Sequence, residues 1–97
     1  MIQVKIHEKV VAMADSDLVG KELEEGELHL HVTERFYKGE EKSEEEIIAI
    51  LKTADNLNIV GKEIVGIALK EGFINEDDIV TIKGVPHVQI YNLQGSE

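Results

Sequence analysis

The feature that most restricts the fold of this 97-residue chain is its hydrophobic period, which changes from two residues to about 3.6 and back. Residues 2–6 alternate apolar and polar side chains, as a half-buried strand does, whereas residues 43–71 carry apolar side chains at helical spacing. The alternation returns near Val88 and Ile90. Strands on both sides of a helical pair predict an α+β fold, with a small, mainly antiparallel sheet and two principal helices packed on it. We expect residues 1–91 to form this single domain and residues 92–97 to be a disordered tail.

Four further segments of the N-terminal half have interpretable patterns. Residues 10–14 predict a second, more fully buried strand, and residues 18–20 predict a helical turn after a cluster of capping residues. Residues 28–33 predict a third strand, in which the even-numbered apolar residues face inward and the odd-numbered polar residues face outward. A short helical or turn segment is expected at 34–38.

The helical pair carries its own start and stop signals. Ser43 and Glu46 predict a capping box, in which the hydroxyl accepts from a free backbone N–H and the carboxylate accepts from the N–H of Ser43. The apolar stripe of this first helix consists of Ile47, Ile50, Leu51 and Ala54. Asn58 is predicted to cap a second helix that runs to about Glu71, with Gly72 ending it in the left-handed conformation.

The C-terminal part predicts a hairpin. Residues 79–82 form its first strand, Lys83 and Gly84 form the turn, and a last strand follows. Pro86 has no backbone N–H to donate, so this last strand should begin near Pro86 or lie at a sheet edge.

Composition excludes several classes of function. The chain has no cysteine, which excludes disulfides and thiolate metal sites, and its longest apolar run of residues, 64–69, is far shorter than the roughly 20 that a membrane helix needs. Residues 1–9 alternate polar and apolar side chains, so we expect no signal peptide, no membrane association and a cytoplasmic location.

Charge further restricts the partners. The net charge is −10, residues 22–46 are the most acidic stretch, and residues 79–92 contain no acid. Because an overall negative field weakens sequence-independent binding to phosphates, we expect no generic DNA binding and only a restricted face open to RNA.

Four short segments resemble an uncharacterised archaeal family, domain of unknown function 424. They are the residues at 17–21 (Asp-Leu-Val-Gly-Lys), 36–40 (Phe-Tyr-Lys-Gly-Glu), 58–61 (Asn-Ile-Val-Gly) and 84–89 (Gly-Val-Pro-His-Val-Gln). The last segment is the most specific of them. The resemblance covers nearly the whole chain and implies a small archaeal cytosolic protein, associated with translation-related genes and without an established activity.

His29 and His31 are the candidate metal ligands. They are two residues apart on a predicted strand and so share one face, where Glu27 or Thr33 could supply a third donor. Closed metal sites need three or four ligands, and no further ligand spacing completes this one. The favoured interpretation is therefore two exposed histidines, with no metal and no cofactor.

Lys21 and Lys62 each follow a glycine and could contact an anion at a helix N-terminus. Neither pair belongs to a complete phosphate-binding loop. The alternative, which we favour, is that Gly20 and Gly61 are structural and that the lysines are solvated.

The strongest candidate for function is the segment from Gly84 to Tyr91. Gly84 and Pro86 are expected to shape the chain, while His87, Gln89 and Tyr91 project from the polar side of the last strand. If the first and last strands are neighbours, Lys5 and His7 join this polar face. The alternative is structural, with His87 hydrogen-bonded to a neighbouring loop.

Two functions remain open. The first is a non-enzymatic binding or accessory module that meets a protein or ribonucleoprotein partner through the polar face around His87. The second is a small enzyme or ligand-binding protein that uses His87, with Lys21 or Lys62 as an anion contact. A deep pocket beside His87 favours the second function, and a flat or convex face favours the first.

Overall fold

A computed structural model describes residues 1–91 and shows a mixed α+β fold with a six-stranded sheet. The strands of the chain are β1 (Ile2–Ile6), β2 (Val11–Asp15), β3 (Glu22–Glu25), β4 (Leu28–His31), β5 (Glu40–Lys42), β6 (Leu57–Val60), β7 (Val80–Ile82) and β8 (Val85–Ile90). The α-helices are α1 (Glu34–Tyr37), α2 (Glu44–Thr53) and α3 (Lys62–Lys70). Short 3₁₀ turns lie at Ser16–Leu18 and Glu76–Asp78. None of the helices within residues 1–91 is long and apolar enough to cross a membrane.

The strand order in the main sheet is β5-β1-β2-β6-β8-β7, and β3 pairs with β4 in a separate hairpin. All neighbouring strands are antiparallel except β2 and β6, which are parallel. The prediction of a mainly antiparallel sheet is therefore confirmed. The parallel pair arises because the chain between β2 and β6 crosses over through the hairpin, α1, β5 and α2.

Both faces of the central strands are buried. The first face packs against α2 and α3 through residues such as Met13, Ile59 and Val88. The second face carries Ala12, Ala14 and Val60, which pack beneath α1 and the segments flanking the hairpin. Burial on both sides explains why residues 57, 59 and 60 of β6 are all apolar.

The prediction that Asn58 caps the second helix is wrong. Asn58 lies inside β6, and α3 begins only at Lys62. The cap comes from a distant residue, since the Asp15 carboxylate accepts hydrogen bonds from the backbone N–H of Glu63 (2.9 Å) and of Ile64 (3.0 Å). Helical spacing of apolar residues alone cannot reveal where a helix starts when its cap lies elsewhere in the sequence.

Several local predictions are confirmed. The capping box is present, with the backbone N–H of Glu46 donating to the Ser43 hydroxyl (3.2 Å) and the N–H of Ser43 donating to the Glu46 carboxylate (2.9 Å). Gly72 follows α3 with a positive φ of 82°. Lys83 and Gly84, with φ of 54° and 77°, form the two-residue turn between β7 and β8.

Two features of the strands differ from prediction. The acid-rich strands β3 and β5 were not predicted, because their side chains are mostly exposed and lack an apolar alternation. Leu28 was expected to face inward, yet it is 44% exposed, because the hairpin is a separate sheet of two strands that only partly packs on the core.

The last strand begins at Val85, next to Pro86 as predicted, and it lies between β6 and β7, not at an edge.

Candidate binding surface on the second sheet face

Strand register places Lys5, His87 and Gln89 on one face of the main sheet. The first and last strands are not neighbours, because β2 and β6 lie between β1 and β8, so the condition set for Lys5 and His7 to join the polar face is not met directly. Lys5 nevertheless shares a face with Gln89, through the register row Lys5, Ala12, Asn58 and Gln89. Three strand spacings put the backbones at the two ends of this row roughly 14 Å apart. Lys5 therefore lies at the far side of the surface from Gln89.

His87 lies half-buried on this second face, where it pairs in register with Val60. Its Nε2 is 3.1 Å from Asn58 Oδ1, and the Tyr37 hydroxyl donates to the same oxygen at 2.6 Å. Burial lowers the pKa of His87 and raises the pKa of Tyr37 to about 12. Both side chains are therefore uncharged at neutral pH.

His7 is held by α1 at another part of the same surface. Its Nε2 lies 2.8 Å from the Phe36 carbonyl oxygen, and its ring stacks on the Phe36 ring with centroids 4.5 Å apart. Phe36 in turn meets Tyr37 edge-on at 4.9 Å. The helix α1 thus connects His7 to the Tyr37, Asn58 and His87 group through packed rings.

Gln89 and Tyr91 form the exposed end of the surface. The Gln89 amide nitrogen donates to the Tyr91 hydroxyl at 2.6 Å, and Tyr91 is 66% exposed. None of the ion pairs found within residues 1–91 involves Lys5. We call the set His87, Gln89, Tyr91, Lys5 and His7 the His87 surface.

The main pockets lie away from His87. One pocket, of about 810 Å³, is at the start of α3 and includes Asp15, Asp17, Lys62 and Glu63 in its lining. The other four main pockets within the described chain are lined at most by Lys5 or His7 from the His87 surface, and none by His87, Gln89 or Tyr91. These five pockets therefore lie beside other parts of the described chain than His87, Gln89 and Tyr91.

The two candidate anion contacts have different surroundings. Lys62 begins α3, where the Asp15 carboxylate already occupies the N–H groups of Glu63 and Ile64. Burial is the main cause that raises the pKa of Asp15, opposed by those two hydrogen bonds. Gly61 permits this approach, since its φ is 121° and a Cβ there would overlap the Asp15 carboxylate.

Lys21 does not lie at a helix N-terminus, contrary to the hypothesis. It follows the 3₁₀ turn and Gly20, whose φ is 96° and whose N–H donates to the Val32 carbonyl oxygen. The backbone N–H of Lys21 donates to the Leu18 carbonyl oxygen, so Lys21 lies at the carbonyl end of that turn.

His29 and His31 are exposed on β4 beside one carboxylate. The Glu22 Oε2 atom is 3.3 Å from His29 Nε2 and 4.0 Å from His31 Nδ1. The Thr33 hydroxyl, considered as a third donor, instead accepts from the N–H of Phe36 and caps α1. Within residues 1–91 no group of three or more His, Asp or Glu residues is arranged to hold a metal ion.

Sequence reasoning missed Tyr37 and assigned Asn58 the wrong role. Both are hydrogen-bonded in the group that contains His87, whereas the prediction left Tyr37 out of the site and gave Asn58 only a structural role as a helix cap. A signal was present at Asn58, because it is the one polar residue between the apolar residues of β6. A polar side chain in a buried strand needs a hydrogen-bond partner, and that need points to a network.

Comparisons with known proteins agree with the predicted resemblance. The sequence model of a family described as "Protein of unknown function (DUF424)" matches residues 3–93. The fold is similar to the crystal structure of an uncharacterized conserved protein from Methanopyrus kandleri, with a TM-score of 0.76 and 29% sequence identity. That similarity covers 99% of this chain and 95% of the other. No protein with a curated description matches.

Proposed function

We propose that this chain, which belongs to the DUF424 family of proteins of unknown function, is a non-enzymatic binding or accessory module of the cytoplasm. Its contact region in this proposal is the His87 surface, and its partner is a protein or a ribonucleoprotein. The similar crystal structure is that of an uncharacterised protein, so the proposal depends on the site and not on a relative's activity.

The observation that supports this proposal most is the exposure of Gln89 and Tyr91 beside His87, outside the five pockets described above. The main pockets of the described chain are lined by other parts of the molecule, while Gln89 and Tyr91 beside His87 are exposed. Small-molecule substrates are usually enclosed in concave sites, whereas protein interfaces are flatter and enriched in tyrosine. The strand that carries His87 has no acidic residue to repel a partner.

The alternative function, an enzyme or ligand-binding protein with a lysine anion contact, receives less support. Lys62 lines a pocket together with Asp15, Asp17 and Glu63, and the field of these carboxylates opposes an anion. Lys21 lies beyond the end of a 3₁₀ turn, near its carbonyl groups. Neither lysine has the surroundings of an anion site.

Generic DNA is a poor candidate for the partner. The net charge of −10 opposes phosphates, and Lys5 is the only Lys or Arg of the His87 surface. Sequence-independent binding to duplex DNA needs several lysine or arginine contacts to phosphates. In this proposal, the chain would accordingly bind a ribonucleoprotein through its protein component or through a limited stretch of RNA.

Affinity capture from archaeal lysate with matched variants tests the proposal. The wild-type chain is compared with Gln89→Ala and Tyr91→Ala, which change exposed side chains of the surface, and with His31→Ala as a control on the separate hairpin. We expect the same partner to be retained by the wild type and the control and to be lost from both surface variants. Treatment with ribonuclease then separates an RNA-dependent partner from a protein.

Equal capture by all four proteins would contradict the assignment of the surface. Turnover of a small substrate that depends on His87 would contradict the non-enzymatic function.

A further inference from the structure

One carboxamide oxygen, Asn58 Oδ1, lies between two side chains of the second face. The Tyr37 hydroxyl is 2.6 Å from it and His87 Nε2 is 3.1 Å from it. A carbonyl oxygen accepts hydrogen bonds and cannot donate one, so both neighbours must donate. The proton of the neutral imidazole is therefore on Nε2, and Nδ1 carries a lone pair.

The remaining polar atoms of this group reach the surface. None of the hydrogen bonds within the described chain involves His87 Nδ1 or Asn58 Nδ2. In the same residues, no buried side-chain nitrogen or oxygen lacks a hydrogen-bond partner. Each of these two nitrogens therefore keeps some contact with solvent, and together they leave one acceptor and one donor for a partner.

The groups that strand register and hydrogen bonding place beside His87 are uncharged. Its register partners are Val60 on β6 and Val80 on β7, and Asn58 and the Tyr37 hydroxyl complete the polar group. Burial is the cause that lowers the pKa of His87, and no neighbouring carboxylate raises it. The ring presents a hydrogen-bonding edge at neutral pH and no positive charge.

We infer that Tyr37 and Asn58 are positioning residues that hold His87 as the Nε2–H tautomer, and that the acceptor and donor left at the surface recognise the backbone amides of a peptide. The inference rests on the proposed binding function and names the chemistry of its partner. A peptide backbone carries one N–H donor and one C=O acceptor in each uncharged unit, which matches the pair formed by His87 Nδ1 and Asn58 Nδ2. A phosphate needs donors and positive charge, which neutral His87 does not supply.

The tautomer is testable without a partner, by long-range ¹H–¹⁵N correlation spectra of the full chain at pH 7. Comparison with His87→Gln assigns the His87 ring, and the exposed His29 and His31 serve as internal references. We expect the Nε2–H pattern for His87. A charged ring or the Nδ1–H tautomer at this pH would overturn the inference.

The positioning role is tested by Tyr37→Phe, which keeps the ring and removes the hydroxyl, with Tyr91→Phe as the matched control at an exposed tyrosine. We expect the population of the Nε2–H tautomer of His87 to fall in Tyr37→Phe and to stay unchanged in the control. A purely structural role would change the denaturation midpoint and leave the tautomer as it was.

Asn58→Asp is a second variant for the case that Tyr37→Phe does not fold. Its carboxylate should favour the charged imidazole, so the pKa of His87 should rise in an NMR titration. Tyr37 and Asn58 do not position the ring if none of the folded variants differs from the wild type in the tautomer or the pKa of His87.

The partner chemistry is tested by titrating the wild-type chain with two probes, a tetraglycine peptide blocked at both ends and inorganic phosphate. We expect the His87 ¹⁵N signals to respond to the peptide, to lose that response in Asn58→Asp, and not to respond to phosphate. A response to phosphate alone, or to neither probe, would overturn peptide recognition. If the expected tautomer is found but capture from lysate is equal for all surface variants, the proposed function fails while the positioning role stands.

Discussion

The Asp15 carboxylate caps a helix that is 48 residues away in sequence, so its removal should destabilise the whole fold. In Asp15→Ala, the backbone N–H groups of Glu63 and Ile64 lose their acceptor. The hydrogen bond to Ile64 is buried, and water cannot easily replace it. These hydrogen bonds connect β2 to the start of α3, two elements that pack on the same core, and the substitution removes that connection.

The expected loss in the free energy of unfolding is about 2 kcal/mol. Removing an N-cap side chain costs about 1 kcal/mol, and leaving a buried N–H unsatisfied costs about 1–3 kcal/mol. Burial of the Asp15 carboxylate costs free energy, as its raised pKa indicates, and the substitution removes this cost, which offsets part of the sum. A domain of this size has a total stability on the order of 5–15 kcal/mol, so the loss is readily measured.

Urea denaturation followed by circular dichroism at pH 7 measures this loss by linear extrapolation. Asp17→Ala is the matched control, because Asp17 is an exposed acid two residues away and should stay within about 0.5 kcal/mol of the wild type. Asp15→Asn, which keeps one acceptor oxygen, should fall between the two. Equal stability of Asp15→Ala and Asp17→Ala would refute the assignment of Asp15 as the cap that matters.

Four further outcomes are expected from the backbone geometry, the capping, the burial of His87 and the net charge. Gly61→Ala should destabilise the fold, because its Cβ would overlap Asp15, whereas Gly66→Ala in the open middle of α3 should stabilise it by about 0.5–1 kcal/mol; thermal unfolding of both variants compares them. Ser43→Ala should cost about 1 kcal/mol of unfolding free energy, and an unchanged urea midpoint would show that its cap contributes nothing. Burial lowers the pKa of folded His87 below its unfolded value near 6.5, so the wild type should lose stability relative to His87→Gln as the pH falls from above 6.5 through the folded pKa. Urea titrations of both proteins from pH 7.5 to 5 measure this loss. The same pH dependence of stability in the two proteins would contradict it. Fluorescence anisotropy at physiological salt should detect no submicromolar binding to generic duplex DNA, and tight binding would contradict the electrostatic reasoning.

The candidate surface was only partly predictable. Alternation in the last strand correctly put His87 opposite to the buried Val88, because side-chain direction in a strand is a local property. The residues that determine the state of His87, Asn58 and Tyr37, come from other elements. Spacing along one strand carries no information about a side chain that reaches in from a helix.

The amino-acid sequence by itself determined the local structures whose contacts lie within a few residues. The capping box of Ser43 and Glu46 and the tight turn at Lys83 and Gly84 are of this kind, because their hydrogen bonds and dihedral angles involve near neighbours in the chain. The change in hydrophobic period likewise predicted the α+β class.

Only the tertiary structure decided the strand order, the true start of α3 and the environment of His87. The parallel pairing of β2 with β6 brings Asp15, which follows the last residue of β2 paired with β6, to the helix that follows β6. The same pairing separates Lys5 from Gln89 by two strands. Each of these contacts joins segments far apart in the sequence, and its energy depends on burial that exists only once the sheet has formed.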